Sequence, residues 1–308
     1  MAEIQTTGGV LTDEVRNDIL DNICHVFRCQ LNEIEELQPI QDGMTNIVVS
    51  FCVEGGKFIY RHPGIGSETL VDRGRENLMQ KVVEDIGIDT TLVAMDVDEG
   101  WRISRFVEHR AFDYHNLNDM VRAIMLLKAL HEAPCRVRWK FDVIKKAEEI
   151  KAQIEKEYYG GFNNFEIIKH RCYKLYELAR EDGIGYCAVH GDARDVNFLI
   201  NKEEIYLIDW EYSGYGDPGF DLGSYICGGD HTIEEIDRIL FTYFHKKPTD
   251  IQKRHFYAYI ALAGWFYMHW TMLKESKGQK VGYNKELWYR YANEFSEIAL
   301  GMYEKGVL

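Results

Sequence analysis

The chain has 308 residues, 46% hydrophobic, 28% charged and 13% aromatic, with a formal net charge of -14. That length exceeds one ordinary hydrophobic core and predicts two lobes, and the composition is that of a folded chain, not a disordered one. The net negative charge argues against a nucleic-acid partner, because it would repel a phosphate backbone.

No apolar run reaches the length of a membrane span, and the opening MAEIQTTGGVLTDEV lacks the charged and apolar regions of a signal peptide. The seven cysteines are scattered and contain no C-x-x-C pair, so neither a disulfide framework nor a zinc site is expected. A reducing cytoplasm without a membrane partner is the expected location.

In chain order, Pro39 punctuates ELQPIQDGMTN. Ile47, Val49, Phe51 and Val53 then alternate with small or polar residues up to Gly55 and Gly56, and Phe58 and Tyr60 follow. The pattern predicts two strands joined by a Gly-Gly turn. From Glu68 to Ile86 the apolar residues return at helical spacing and stop at Gly87, a helix end. Leu92 to Met95 and Arg102 to Val107 read as two more strands. Met120 to His131 and Phe141 to Tyr159 carry three-to-four-residue periodicity, and the second half is mainly helical. The exception is Cys187 to Val189, Phe198 to Ile200 and Ile205 to Ile208, three short apolar runs that predict short strands carrying loops. An N-terminal lobe of residues 1–108 and a C-terminal lobe of residues 109–308 are expected, giving an α+β fold.

The stretch AVHGDARDVNFLI sets Asn197 five residues after Asp192, the spacing of a protein-kinase catalytic loop. Phosphoryl transfer needs a carboxylate that orients and deprotonates the attacking hydroxyl, and oxygen ligands that hold magnesium against the nucleotide phosphates. Asp192 suits the first task, and Asn197 with Asp209, at the end of the strand in EEIYLIDWEYSG, suits the second. A single Asp or Asn in a loop is more often a turn residue. The ordered set is far more specific. His190, in front of the base, is assigned to support of the loop, and Asp221 could brace it from a helix start. Arg194, two residues after Asp192, stands where many protein kinases carry a lysine that neutralises the transferred phosphoryl, and the same role is expected of it.

HGDARDVNFLI and IDWEYSGYGDPGFDLG resemble the choline/ethanolamine kinases, particularly their bacterial LicA-like branch, within the aminoglycoside-phosphotransferase-like group. The resemblance extends to Gly43–Asn46, to FIYRHPGIG and to the aromatic C-terminal segment. It implies a protein-kinase-like fold with a small β-rich N-lobe and a larger helical C-lobe, and ATP and magnesium as cofactors. It further implies that Gly43, Met44, Thr45 and Asn46 turn over the ATP phosphates, that Arg61 contacts them with Glu76 as its ion-pair partner, and that Arg105, Phe106 and Val107 form the adenine-binding hinge.

The acceptor implied is a small amino alcohol. An ammonium is held well by aromatic faces, and Tyr267 and Trp270, three apart on one helix face, match the family's W-x-x-W pair with tyrosine in the first place. Tyr283, Trp288 and Tyr291 follow. Aromatic residues at such spacing are more often core. Glu211 and Tyr212 resemble residues at the edge of the amine pocket. The chain departs from the pattern at Gly228, near which the family usually has a glutamate, and Asp230 could substitute for it. Other acceptors, such as an aminoglycoside or thiamine, and a nucleotide-binding pseudokinase, are the competing expectations.

Overall fold

A computed structural model describes residues 4–6, 9–40, 46–63, 72–154, 162 and 164–305. The chain divides into two compact units, Met1–His109 and Arg110–Leu308.

The first unit opens with a hairpin of β1 (Ile4–Thr6) and β2 (Gly9–Leu11) and helix α1 (Asp13–Phe27). A five-stranded antiparallel sheet follows, built from β3 (Glu35–Ile40), β4 (Ile47–Val53), β5 (Gly56–His62), β6 (Leu92–Met95) and β7 (Arg102–Arg105) in the order β3-β4-β5-β7-β6. The alternation along β4 buries Ile47, Val49, Phe51 and Val53 with Tyr60, Trp101 and Ile103, against Ile19 and Ile23 of α1. Between β4 and β5 the turn residues are Glu54 and Gly55, at φ 52° and 76°, while Gly56 is already paired with Val53. Two successive positive φ angles match the right-handed strand twist, so the expected Gly-Gly turn is shifted by one residue.

Pro39, read above as punctuation, lies inside β3 opposite Val49. An edge strand needs its N–H groups on one side only, so a proline is tolerated there. Helix α2 (Arg73–Asp85) ends at Gly87, whose φ of 75° is the left-handed geometry that glycine supplies. The expected start of this helix, from Glu68 to Val71, lies outside the described residues. The last strand is shorter than expected, ending at Arg105 instead of Val107.

The second unit contains α3 (Leu117–Glu132), α4 (Val143–Lys151), α5 (Phe165–Arg180), α6 (Pro218–Gly228), α7 (Ile233–Phe244), α8 (Asp250–Ser276) and α9 (Asn284–Glu304). Helix α4 is shorter than its periodicity suggested, and residues 155–159 of that expectation lie outside the described residues. Helix α8 is apolar on nearly every side and is buried along almost its whole length, as such a helix must be. Two antiparallel strand pairs stand among the helices: β8 (Cys187–Val189) with β11 (Gly214–Gly216), and the hairpin of β9 (Phe198–Ile200) and β10 (Ile205–Leu207). Their connections carry the residues singled out by the sequence.

Candidate active site

The loop from His190 to Asn197 leaves β8 and enters β9 through a short 3-10 turn, Asp195–Asn197. It is fixed from below by Asp221 of α6, whose two carboxylate oxygens accept from the backbone N–H groups of His190 (2.7 Å) and Gly191 (2.8 Å). The buried His190 ring acts as a strut. Its Nδ1 accepts from the Asp192 N–H (3.1 Å), so its Nε2 is the protonated nitrogen and donates to the Ile208 carbonyl (2.9 Å). Gly191 is required at its position, because it sits at φ 85° and an added Cβ would lie 2.5 Å from the Tyr212 carbonyl oxygen. Gly191→Ala should therefore cost about 1–3 kcal/mol of stability, read as a lowered denaturant midpoint, and misplace the loop.

Asp192 is held by three donors. Its Oδ1 accepts from Arg194 Nε (2.8 Å) and the Tyr267 hydroxyl (2.7 Å), and its Oδ2 accepts from Asn197 Nδ2 (3.2 Å). An ionised carboxylate offers about four acceptor directions, which leaves Oδ2 able to take one more proton donor. Burial raises the Asp192 pKa, but the charge and hydrogen bond of Arg194, with the Tyr267 bond, outweigh it and hold the group below its ordinary value. It is ionised at neutral pH. Burial first, and then the Asp192 charge, push the Tyr267 hydroxyl well up, so it remains a donor.

The Asn197 amide nitrogen also donates to the Asp192 carbonyl (2.8 Å), which turns its side-chain oxygen into the remaining donor atom for a cation. Ile208 N–H donates to the Asn197 carbonyl (3.0 Å), bringing the segment that ends in Asp209 beside it. Asp209 itself adopts φ 71°, ψ 71°, a conformation uncommon for any residue but glycine and tolerated best by Asp and Asn.

Tyr267 and Trp270 of α8 and Trp288 of α9 gather next to this carboxylate. Tyr267 and Trp288 stack at 4.9 Å, and Trp270 meets Trp288 edge-on at 6.1 Å. Trp288 is fixed by its Nε1–H bond to the Cys227 carbonyl (3.0 Å), and Tyr267 by the Ser224 hydroxyl (2.5 Å). Tyr291 bonds the Gly229 carbonyl and the His231 N–H and clamps the segment that follows α6. Tyr212 packs edge-on against Phe266 at 6.4 Å, and Glu211 lies beside it, both half-buried. Asp230 and Tyr283 form a separate exposed cluster: the carboxylate accepts from Tyr283 (2.7 Å) and is paired with Arg290.

In the first unit the buried Glu76 carboxylate is shared by three arginines. Arg61 meets it at 2.5 Å, Arg73 at 2.7 Å and Arg102 at 3.3 Å. The Arg105 and Phe106 N–H groups donate to the Thr91 and Lys57 carbonyls, and the Val107 carbonyl is bonded to the His109 ring. Asn46 is described and half-buried just before β4, whereas Gly43, Met44 and Thr45 lie outside the described residues.

The choline/ethanolamine kinase family model matches residues 37–264, well over half of the chain. The chain belongs to the choline/ethanolamine kinase family. It is a phosphotransferase acting on an alcohol, with a protein-kinase-like fold. It is 24% identical to protein LicA of Haemophilus influenzae over 251 residues, which is 78% of this chain and 93% of that one. The crystal structure of choline kinase LicA from Streptococcus pneumoniae superposes with a TM-score of 0.75 at 21% identity, covering 93% of this chain and all of that one. The aminoglycoside phosphotransferase APH(4)-Ia, solved with ADP and hygromycin B, superposes at 0.63 with 11% identity, covering 91% and 98%.

Two features of this family member were not apparent from its sequence. Arg102 joins Arg61 and Arg73 on Glu76 because β5 and β7 are neighbours with Arg61 opposite Arg102, a relation that only strand register reveals. The hydroxyl of Tyr114 accepts from the Asp195 N–H (2.7 Å) and so supports the His190–Asn197 loop from outside it. The same hydroxyl explains the departure at Gly228, where a Cβ would fall 1.8 Å from it. The space a side chain at 228 would need is already taken.

Proposed function

We propose that this enzyme transfers the γ-phosphoryl group of ATP to the hydroxyl of a small amino alcohol, choline or ethanolamine. The observation that carries the reading is that Tyr267 belongs to both parts of the site: its hydroxyl bonds Asp192 and its ring forms one wall of the aromatic box. An alcohol whose ammonium rests against those rings would bring its hydroxyl to the Asp192 carboxylate, which accepts the proton as the new O–P bond forms and the bond from the γ-phosphorus to the β–γ bridging oxygen breaks, with ADP leaving. The LicA relatives, one described as a choline kinase, support this acceptor class.

Magnesium, when bound, supplies charge that offsets the phosphates of the nucleotide, and the oxygens of Asn197 and Asp209 are the hard donors that suit it. Arg61, held by Glu76, is the residue of the first unit assigned to the nucleotide phosphates, with Asn46 and residues 43–45 assigned to the turn over them. Val107 is retained as the hinge contact to adenine. A cytoplasmic enzyme is the natural setting for ATP, and among the described residues no helix is long and apolar enough to cross a membrane.

The amine-pocket role first given to Asp230 is weakened by Arg290, which already neutralises it, and a polycationic aminoglycoside would find little negative charge there. The test is ADP release with magnesium and ATP against choline, ethanolamine, thiamine and hygromycin B. Choline or ethanolamine should raise the rate at least tenfold over the acceptor-free blank. Release stimulated only by thiamine or hygromycin B would replace the acceptor class, and none at all would favour a nucleotide-binding scaffold.

A further inference from the structure

The aromatic box already contains a cation of the chain's own. The Arg194 guanidinium carbon lies 5.0 Å from the Tyr267 ring centroid, 5.6 Å from that of Trp288 and 5.9 Å from that of Trp270, all within the range of a cation–π contact. The side chain is largely buried and is anchored through Nε to Asp192. A second cation, Lys274, stands 4.8 Å from the Trp270 ring. The sequence led to the expectation that Arg194 neutralises the transferred phosphoryl; in this structure its guanidinium lies against the rings.

Three ring centroids within cation–π range of one point favour a single positive charge there, and two cations in van der Waals reach repel each other strongly where water is scarce. A guanidinium is also a planar, two-pronged ligand for phosphate oxygens. We propose that Arg194 is a displaceable stopper in the acceptor's cation site: the ammonium of the acceptor enters the box only as Arg194 leaves it for the nucleotide phosphates. This rests on the amino-alcohol reading above. The two places given to Arg194, against the rings and beside the phosphoryl group, are then the two ends of one side chain's movement.

The arrangement makes the nucleotide and the acceptor help each other bind. A triphosphate draws Arg194 out and opens the box, and by linkage an ammonium in the box strengthens nucleotide binding by the same factor. Arg194→Gln keeps an N–H donor for Asp192 but removes the competing charge. The box of that variant is open without nucleotide.

The experiment titrates tetramethylammonium, which has the cation but no hydroxyl, into the full chain, with the tryptophan fluorescence of Trp270 and Trp288 as the signal. Wild type and Arg194→Gln are compared with and without a non-hydrolysable ATP analogue and magnesium. In wild type the analogue should tighten tetramethylammonium by about tenfold, and Arg194→Gln should bind it about tenfold more tightly than wild type with no further gain from the analogue. Equal binding by the two proteins, or weaker binding by the variant, overturns the stopper and leaves the cation box standing. Absence of binding by either protein under every condition removes the cation site, and the amino-alcohol reading with it. If Arg194→Gln does not fold, the wild-type comparison decides: affinity unchanged by the analogue overturns the proposal.

Discussion

Replacing Asp192 by asparagine should lower kcat by about 10²–10⁴-fold, the usual contribution of a positioned general base, with the far-UV circular dichroism unchanged. The amide oxygen has nearly the same place and can still accept from the Tyr267 hydroxyl and Arg194 Nε. The loop also keeps the two bonds from the backbone of His190 and Gly191 to Asp221, which do not involve the side chain at 192. What is lost is the charge proposed to take the proton. The KM for ATP should move only a few-fold, because Asp192 is assigned to the acceptor and not to the nucleotide. A kcat within threefold of wild type would remove Asp192 from the chemistry.

Glu76→Gln should be the most damaging change in the first unit, for a different reason. Its carboxylate is fully buried and meets Arg61, Arg73 and Arg102. Removing its negative charge takes away the partner that the three guanidinium groups share, leaving Asp89, 4.0 Å from Arg102, as a more distant carboxylate, a loss of roughly 3–5 kcal/mol by comparison with other broken buried pairs. The urea midpoint of the full chain should fall accordingly. The KM for ATP should rise with it, since Arg61 loses the group that orients it.

The same cluster makes stability acid-sensitive in a defined window. Burial raises the Glu76 pKa, but the charges of Arg61, Arg102 and Arg73 overcome this and bring it from 4.5 to about 2. A carboxyl depressed in the folded state contributes stability that is complete above the unfolded value of 4.5 and is lost as pH falls towards 2. The contribution is about 3 kcal/mol. Wild type should lose it across that interval in urea titrations, and Glu76→Gln should show a flatter profile there.

The parts of this molecule that could be read from the sequence are those governed by neighbours along the chain. The alternation from Ile47 to Val53 was visible because one face of β4 is buried and the pleat repeats every two residues. The spacing of Asp192 and Asn197 was visible because a loop and a 3-10 turn bring them together locally, ending in the Asn197 bond to the Asp192 carbonyl. Gly87 could be placed because helix ends need the left-handed region. What stayed hidden depends on distant partners. Pro39 reads as a break until its strand is known to be an edge. Arg102 acquires its meaning from strand register. The position of Arg194 among three rings depends on how α8 and α9 meet the loop, and no spacing within HGDARDVN encodes that.

Tyr114 and Gly228 are far apart in sequence, yet the hydroxyl of one fills the room a side chain at the other would need. Exchange at these two positions is therefore epistatic. An acidic residue at 228 would collide with Tyr114, and loss of the tyrosine alone would remove the group that accepts from the Asp195 N–H. A lineage that exchanges either residue has to pass through a weakened intermediate or change both together, so the pair should vary jointly among relatives that share this loop.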